Sequence, residues 1–158
     1  MPTFETTRSV PFSSQQMFDI VADIERYPEF LPLCEGLVVI SRQRTGTDTV
    51  LDARMTVGYR AIRETFTSRV TLRPERSEIV VSYLDGPFSH LDNRWRFRDA
   101  GRGSQIDFFI DYAFSSRMLA LLMGAVFDKA VRKYTQAFEA RAHALYDMPG
   151  GATVPTKD

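Results

Sequence analysis

The sequence predicts an α+β fold: a curved seven-stranded antiparallel sheet wrapped around a long carboxy-terminal helix, with two short helices after the first strand. Three observations predict it. From Cys34 to Phe114 apolar and polar residues alternate with period two, and turn signals recur about every 8–12 residues, the pattern of an antiparallel meander. A capped stretch of helical period interrupts the strands early, from Ser13 onward. The final helical stretch runs from Ser115 or Ser116 to Leu145, some thirty residues or roughly 45 Å, and no other element is long enough to cover one face of the sheet.

The elements follow in order. Thr3 to Val10 sets Phe4, Thr6, Arg8 and Val10 against Glu5, Thr7 and Ser9, which reads as a strand. Ser13 and Gln16 form a capping box, and Phe12 with Met17 closes a hydrophobic staple. Met17, Phe18, Ile20, Val21 and Ile24 make the buried stripe of that helix. Tyr27-Pro28 ends it, because a residue before proline is pushed out of the helical region, and Pro28 begins a short second turn through Leu31. Strands are expected at Leu37–Arg42, Leu51–Tyr59, Ile62–Leu72, Ile79–Leu84, Leu91–Phe97 and Gln105–Phe114. In the last helix Val131, Tyr134, Phe138, Ala142 and Leu145 form an ordinary stripe, whereas Met118 to Phe127 carries no charge on any face.

The 158 residues are expected to form one domain over 1–146, followed by a disordered tail over 147–158 whose Pro149-Gly150-Gly151 run has nothing to bury. Twenty Lys+Arg balance twenty Asp+Glu, so no overall field attracts DNA. A single cysteine, Cys34, excludes an internal disulfide framework, and His90 and His143 lack metal-ligand spacing, so neither a metal nor a cofactor is expected. No signal-peptide pattern and no apolar run of about 18 residues occurs, and a soluble, cytoplasmic protein is expected.

Alternation directs Met55, Val57, Phe66, Ser68 and Trp95 to the apolar face of the sheet, together with Phe97, Phe108, Ile110 and Tyr112. Leu122, Met123, Val126 and Phe127 of the charge-free helical segment add apolar surface beyond what the sheet requires. Pro28, Phe30, Leu31 and Pro32 add more. Two outcomes are open at this level, a solid core or a cavity for a hydrophobic molecule, and the surplus of apolar surface favours the cavity. Trp95, Tyr59, Tyr112, Ser68 and Asn93 are the candidate hydrogen-bonding groups for a head group. Gly124 either loosens the helix over an entrance or permits close packing. The Met118–Phe127 run with Phe30 and Leu31 makes a patch suited to transient contact with a membrane surface or a partner.

Catalytic signatures are missing. There is no Gly-x-Ser-x-Gly elbow, no His-Glu-x-x-His and no phosphate-cradling glycine loop. Glu64 is the only carboxylate on the apolar face, and a structural partnership with Arg8 or a tyrosine suits it better than general-base work. Arg54, Arg63 and Arg69 on outward positions of two adjacent strands and Arg94 and Arg96 on another could build a basic stripe, or pair with Asp52, Asp92, Asp107 and Asp111.

Several segments also resemble a known family. Asp23-Ile24-Glu25-Arg26-Tyr27-Pro28-Glu29-Phe30-Leu31-Pro32-Leu33-Cys34 is similar to the signature of the coenzyme Q-binding and ribosome-association-toxin family, within the START-like polyketide cyclase and lipid-transport superfamily. Arg63 to Val70, Gly86-Pro87-Phe88, Asn93 to Phe97 and Ala137 to Ala142 match in order, and the similarity runs from about Pro2 to Leu145. Leu33 departs from the pattern, since relatives often carry tryptophan there, which removes a stacking platform beside Cys34. The resemblance implies a helix-grip fold with an elongated cavity between sheet and final helix. It further implies a non-enzymatic protein that binds ubiquinone or a related polyprenyl lipid, as ligand rather than redox cofactor. Such a protein supports respiratory electron transport as a carrier or chaperone, in the cytoplasm or peripherally at the inner membrane. The alternative it offers is an inhibitor that blocks the joining of ribosomal subunits.

Overall fold

The computed structural model describes residues 3–147, so the expected tail beyond Asp147 lies outside the described residues. Seven strands form one antiparallel sheet: β1 (Thr3–Val10), β2 (Cys34–Thr45), β3 (Asp48–Tyr59), β4 (Ile62–Arg73), β5 (Glu78–Asp85), β6 (Phe88–Ala100) and β7 (Gly103–Phe114). Their spatial order is β1-β7-β6-β5-β4-β3-β2. Consecutive strands from β2 to β7 are joined by tight turns, and β1 closes the far edge by pairing with β7 from Thr3↔Asp111 to Val10↔Ser104. β1 has the span read from periodicity, and each of β2 to β7 extends beyond it, because backbone pairing continues where side-chain alternation fades.

Helix α1 (Ser14–Ala22) starts as expected: Ser13 Oγ accepts from the Gln16 amide, and the Gln16 side chain accepts from the Ser13 amide. Its end differs from the sequence reading. The helix stops at Asp23, and a separate 3₁₀ segment spans Ile24–Glu29 with Pro28 inside it. The Tyr27 hydroxyl donates to the Val21 carbonyl, which folds this segment back on α1.

The long terminal helix is two helices, α2 (Arg117–Arg132) and α3 (Tyr134–Tyr146), separated at Lys133. Ser116 caps the first by accepting from the Leu119 amide. At the break the Lys133 amide bonds the Ala130 carbonyl, an i→i−3 contact that tightens the last turn of α2. Helix α3 is fastened by aromatic and ionic contacts. The Phe138 ring meets Trp95 at 5.1 Å and Tyr27 and Phe30 at 5.3 Å. Arg8 pairs with Glu139 at 2.5 Å, and Arg141 with Glu29 at 2.8 Å. Arg8 thus takes its partner from α3 and not from Glu64, which lies opposite Val57 on the β3–β4 pair.

Strands β3, β5 and β7 run in the same direction, so one end of the sheet gathers several connections. These are the segment leading into β2, the β3–β4 hairpin at Arg60, the β5–β6 turn at Gly86 and the start of α2. Gly86 has φ +143°, and a Cβ there would fall 2.4 Å from Phe66 Cβ, so only glycine lets this turn lie against Phe66. Ser115 ties the same turn to the start of α2 through its amide and hydroxyl, both donating to the Pro87 carbonyl.

Candidate functional site

Between the concave face of the sheet and the terminal helices lies a cavity of about 90 Å³. The sheet supplies Leu37, Ala53, Met55, Phe66, Ser68, Val70, Ile79, Val81, Leu91, Asn93, Trp95 and Ile110. Phe127 of α2 and Tyr134 and Phe138 of α3 form the opposite wall, and Ile24, Tyr27 and Leu31 close the side. None of these residues carries a formal charge.

The polar groups are few and mostly engaged. The Trp95 indole donates to Asn93 Oδ1 at 3.0 Å, and Asn93 Nδ2 donates to the Phe109 carbonyl at 2.8 Å. The Ser68 side chain is buried between Phe66 and Val70 on β4. Burial raises the phenol pKa of Tyr27 and of Tyr134 far above the usual range, so both stay protonated. Desolvation likewise pushes the neighbouring Cys34 thiol up to about 11, partly opposed by the Gly36 backbone. The chemistry of this space is therefore neutral and largely apolar, its polar features being phenol, hydroxyl, amide and indole groups.

Of the residues singled out by sequence, Leu31, Met55, Phe66, Ser68, Asn93, Trp95, Ile110 and Phe127 line the cavity, and Tyr59 does not. Val57, Phe97, Phe108 and Tyr112 are buried but pack into the surrounding core, and Met123 is buried without lining the cavity. Phe30 packs edge-on against Tyr27 and Phe138, while Pro28 is exposed and Pro32 half-buried. Leu122 is 53% exposed on the outer face of α2, and Val126 is half-buried. Tyr112 has no hydrogen-bond partner for its buried hydroxyl among the described residues. Burial raises its pKa to about 12, with the nearby Asp128 carboxylate adding to the effect.

Sequence reasoning missed Tyr27, Tyr134 and Phe138 as walls, although Tyr134 and Phe138 stand at i and i+4 of a recognised stripe. It also missed Ile79 and Val81, whose alternation on β5 was the available signal. The patch expected from the Met118–Phe127 run with Phe30 and Leu31 forms in part: Met118, Leu121 and Leu122 are exposed, whereas Leu31 is buried and Phe30 half-buried. Gly124 faces open space, which removes the close-packing explanation for it. Outward arginines are largely paired: Arg69 with Asp52, Arg94 with Asp92, Arg63 with Glu35 and Arg96 with Glu78. Asp107 bonds Arg98 and Thr7, and Asp111 bonds His90 and Thr3.

Comparison with known proteins agrees with this architecture. A family model described as polyketide cyclase/dehydrase and lipid transport matches residues 10–139. The ribosome association toxin RatA of Escherichia coli K12 is 35% identical over 147 residues, covering 92% of this chain and 90% of that protein. The mitochondrial coenzyme Q-binding protein COQ10 homolog B of Xenopus laevis is 29% identical over 147 residues, covering 90% of this chain and 59% of that protein. The solution structure of an 18 kDa Caulobacter crescentus protein superposes with a TM-score of 0.75 at 35% identity, over 92% of this chain and 98% of that one.

Proposed function

Because the chain belongs to the polyketide cyclase/dehydrase and lipid transport family, we propose that it binds ubiquinone or a related polyprenyl lipid in its internal cavity and carries or positions it for respiratory membranes. The observation that carries this reading is the lining: eighteen residues without one formal charge, with a few neutral polar groups among them. A neutral ring bearing hydrogen-bond acceptors and a hydrocarbon tail matches that chemistry, whereas an anionic or cationic ligand would be desolvated without compensation. The relative named as a coenzyme Q-binding protein supports the quinone class. One isoprene unit has five carbons and contributes about 3–4 kcal/mol on burial, before ordering costs, at ~0.8 kcal/mol per methylene equivalent.

The cavity is smaller than the ~300–1,000 Å³ typical of ligand sites, so loading displaces its walls. Helix α2 is the wall that yields, since among the described residues its ion pair is internal, Asp128 with Arg132, whereas Arg8–Glu139 and Arg141–Glu29 tie α3 to other elements. Turnover of the ligand is not part of the proposal. Buried phenols held protonated supply neither an acid nor a base that titrates near neutrality, and Glu64 is not among the lining residues.

Native mass spectrometry and solvent extraction of protein purified from its own host test the reading. A copurifying quinone or polyprenyl lipid is the expected result. A second reading, inhibition of ribosomal subunit joining, is favoured by the 35% identity with RatA. Protein that emerges empty, sediments with ribosomal subunits in a salt-sensitive manner and loses that association in Arg63→Glu/Arg69→Glu would replace the first reading with the second.

A further inference from the structure

Helix α2 presents to solvent a face organised along its length. Met118, Leu121, Leu122, Ala125 and Lys129 stand at i, i+3, i+4, i+7 and i+11, one stripe of a helix, and Lys133 continues it. The three large apolar side chains in it are 69%, 85% and 53% exposed in that order. Lys129 and Lys133 are exposed and form no ion pair among the described residues, whereas the adjacent Arg132 is held by Asp128 at 3.0 Å and lies over the Phe4 ring. The stripe is therefore apolar in its first two turns and cationic in its last. Leu84, 44% exposed at the end of β5, lies at the same end of the sheet as the start of α2.

From this juxtaposition we infer that the outer face of α2 docks on an anionic lipid bilayer, with Met118, Leu121 and Leu122 inserted and Lys129 and Lys133 on the phosphates. The spacing fits such a surface. Seven residues separate Leu122 from Lys129, about 10 Å along the axis at 1.5 Å per residue. One headgroup layer is ~5–8 Å deep, half the difference between the whole bilayer and its hydrocarbon core. A tilted approach thus leaves the leucines below the headgroups and the lysines level with them. The chain as a whole has a formal net charge of +0, so attraction to an anionic surface has to come from a local cluster of this kind. The inference goes beyond the cavity reading and does not depend on it, because an empty protein has the same outer face.

Flotation of the full chain with quinone-free vesicles tests it. Vesicles rich in phosphatidylglycerol are expected to carry the protein, and pure phosphatidylcholine vesicles much less. Leu121→Asp/Leu122→Asp is expected to lower partitioning at least about tenfold, and Lys129→Glu and Lys133→Glu about fivefold each, with far-ultraviolet circular dichroism unchanged. The lysine variants alter only exposed side chains, so they keep the test decisive should the leucine variant misfold. Equal binding to both vesicle types, no binding to either, or partitioning unchanged in the lysine variants overturns the inference. So does sedimentation showing a dimer that Leu121→Asp/Leu122→Asp converts to monomer, since a second copy would then cover the face.

Discussion

Filling the cavity is expected to stabilise the protein and disarm it together. Ala53 is the smallest lining residue, buried on β3 opposite Ser68 and Val39. Its replacement by valine adds two carbons in a strand, where a β-branched side chain is at home. At ~24 cal/mol per Å³ of void, the 90 Å³ cavity costs about 2 kcal/mol. Two carbons fill about half of it, so Ala53→Val gains about 1 kcal/mol, consistent with ~0.8 kcal/mol per buried methylene before strain. That raises Tm by ~2–4 °C for a chain of this length. The loaded form has no spare volume for those carbons, and overpacking of ~1–3 kcal/mol weakens ligand binding about fivefold or more. Thermal melting of empty protein and titration with a short-tailed ubiquinone followed by Trp95 fluorescence read both effects. A higher Tm with undiminished quinone uptake would place the ligand elsewhere, and a lower Tm would refute the volume argument.

Three further outcomes follow from individual residues. Gly124→Ala gains about 0.5–1 kcal/mol in a chemical melt, because the added methyl meets no atom within 4 Å and the helix loses a flexible residue. Tyr112→Phe raises Tm by a few degrees, about 1 kcal/mol, by removing a buried hydroxyl that no neighbour satisfies; a fall would reveal a partner for that oxygen. The Arg69 hydrogen bonds hold the Asp52 carboxyl below its ordinary range, partly opposed by desolvation. Its contribution to stability is therefore complete above the unfolded value near pH ~3.9 and lost as pH falls through the folded value. Denaturant midpoints should show Asp52→Asn less stable than the parent at neutral pH and level with it in strong acid. A gap that persists in acid would mean that packing, not charge, is responsible.

The strands and the capped first helix were legible because both signals are local. Alternation from Leu51 to Tyr59 needs only the pleat, and the Ser13–Gln16 box needs only four residues. The breaks at Asp23 and Lys133 were not, since neither carries a glycine or proline and each follows from where the flanking segment packs. The site was half legible for a related reason. Periodicity tells which side of a strand is apolar, so Met55, Phe66 and Ile110 were found. Which inward residues border empty space depends on curvature and on what stands opposite. Phe108 and Tyr112 satisfy the same alternation as Ile110, yet they are spent on core packing against Trp95 and Phe127.

The interruption at Lys133 divides the terminal rod into a welded portion and a loosely seated one. Aromatic rings and two ion pairs to other elements secure Tyr134 to Tyr146, whereas the ion pair of Arg117 to Arg132 among the described residues, Asp128 with Arg132, lies within its own helix. Substitutions at well-separated exposed positions of the two portions should sum in free energy, whereas Phe127 and Phe138 border one cavity and should couple. Evolution, or an engineer, can therefore retune the front portion for a new cargo or surface without unsettling the scaffold that the rear portion keeps shut.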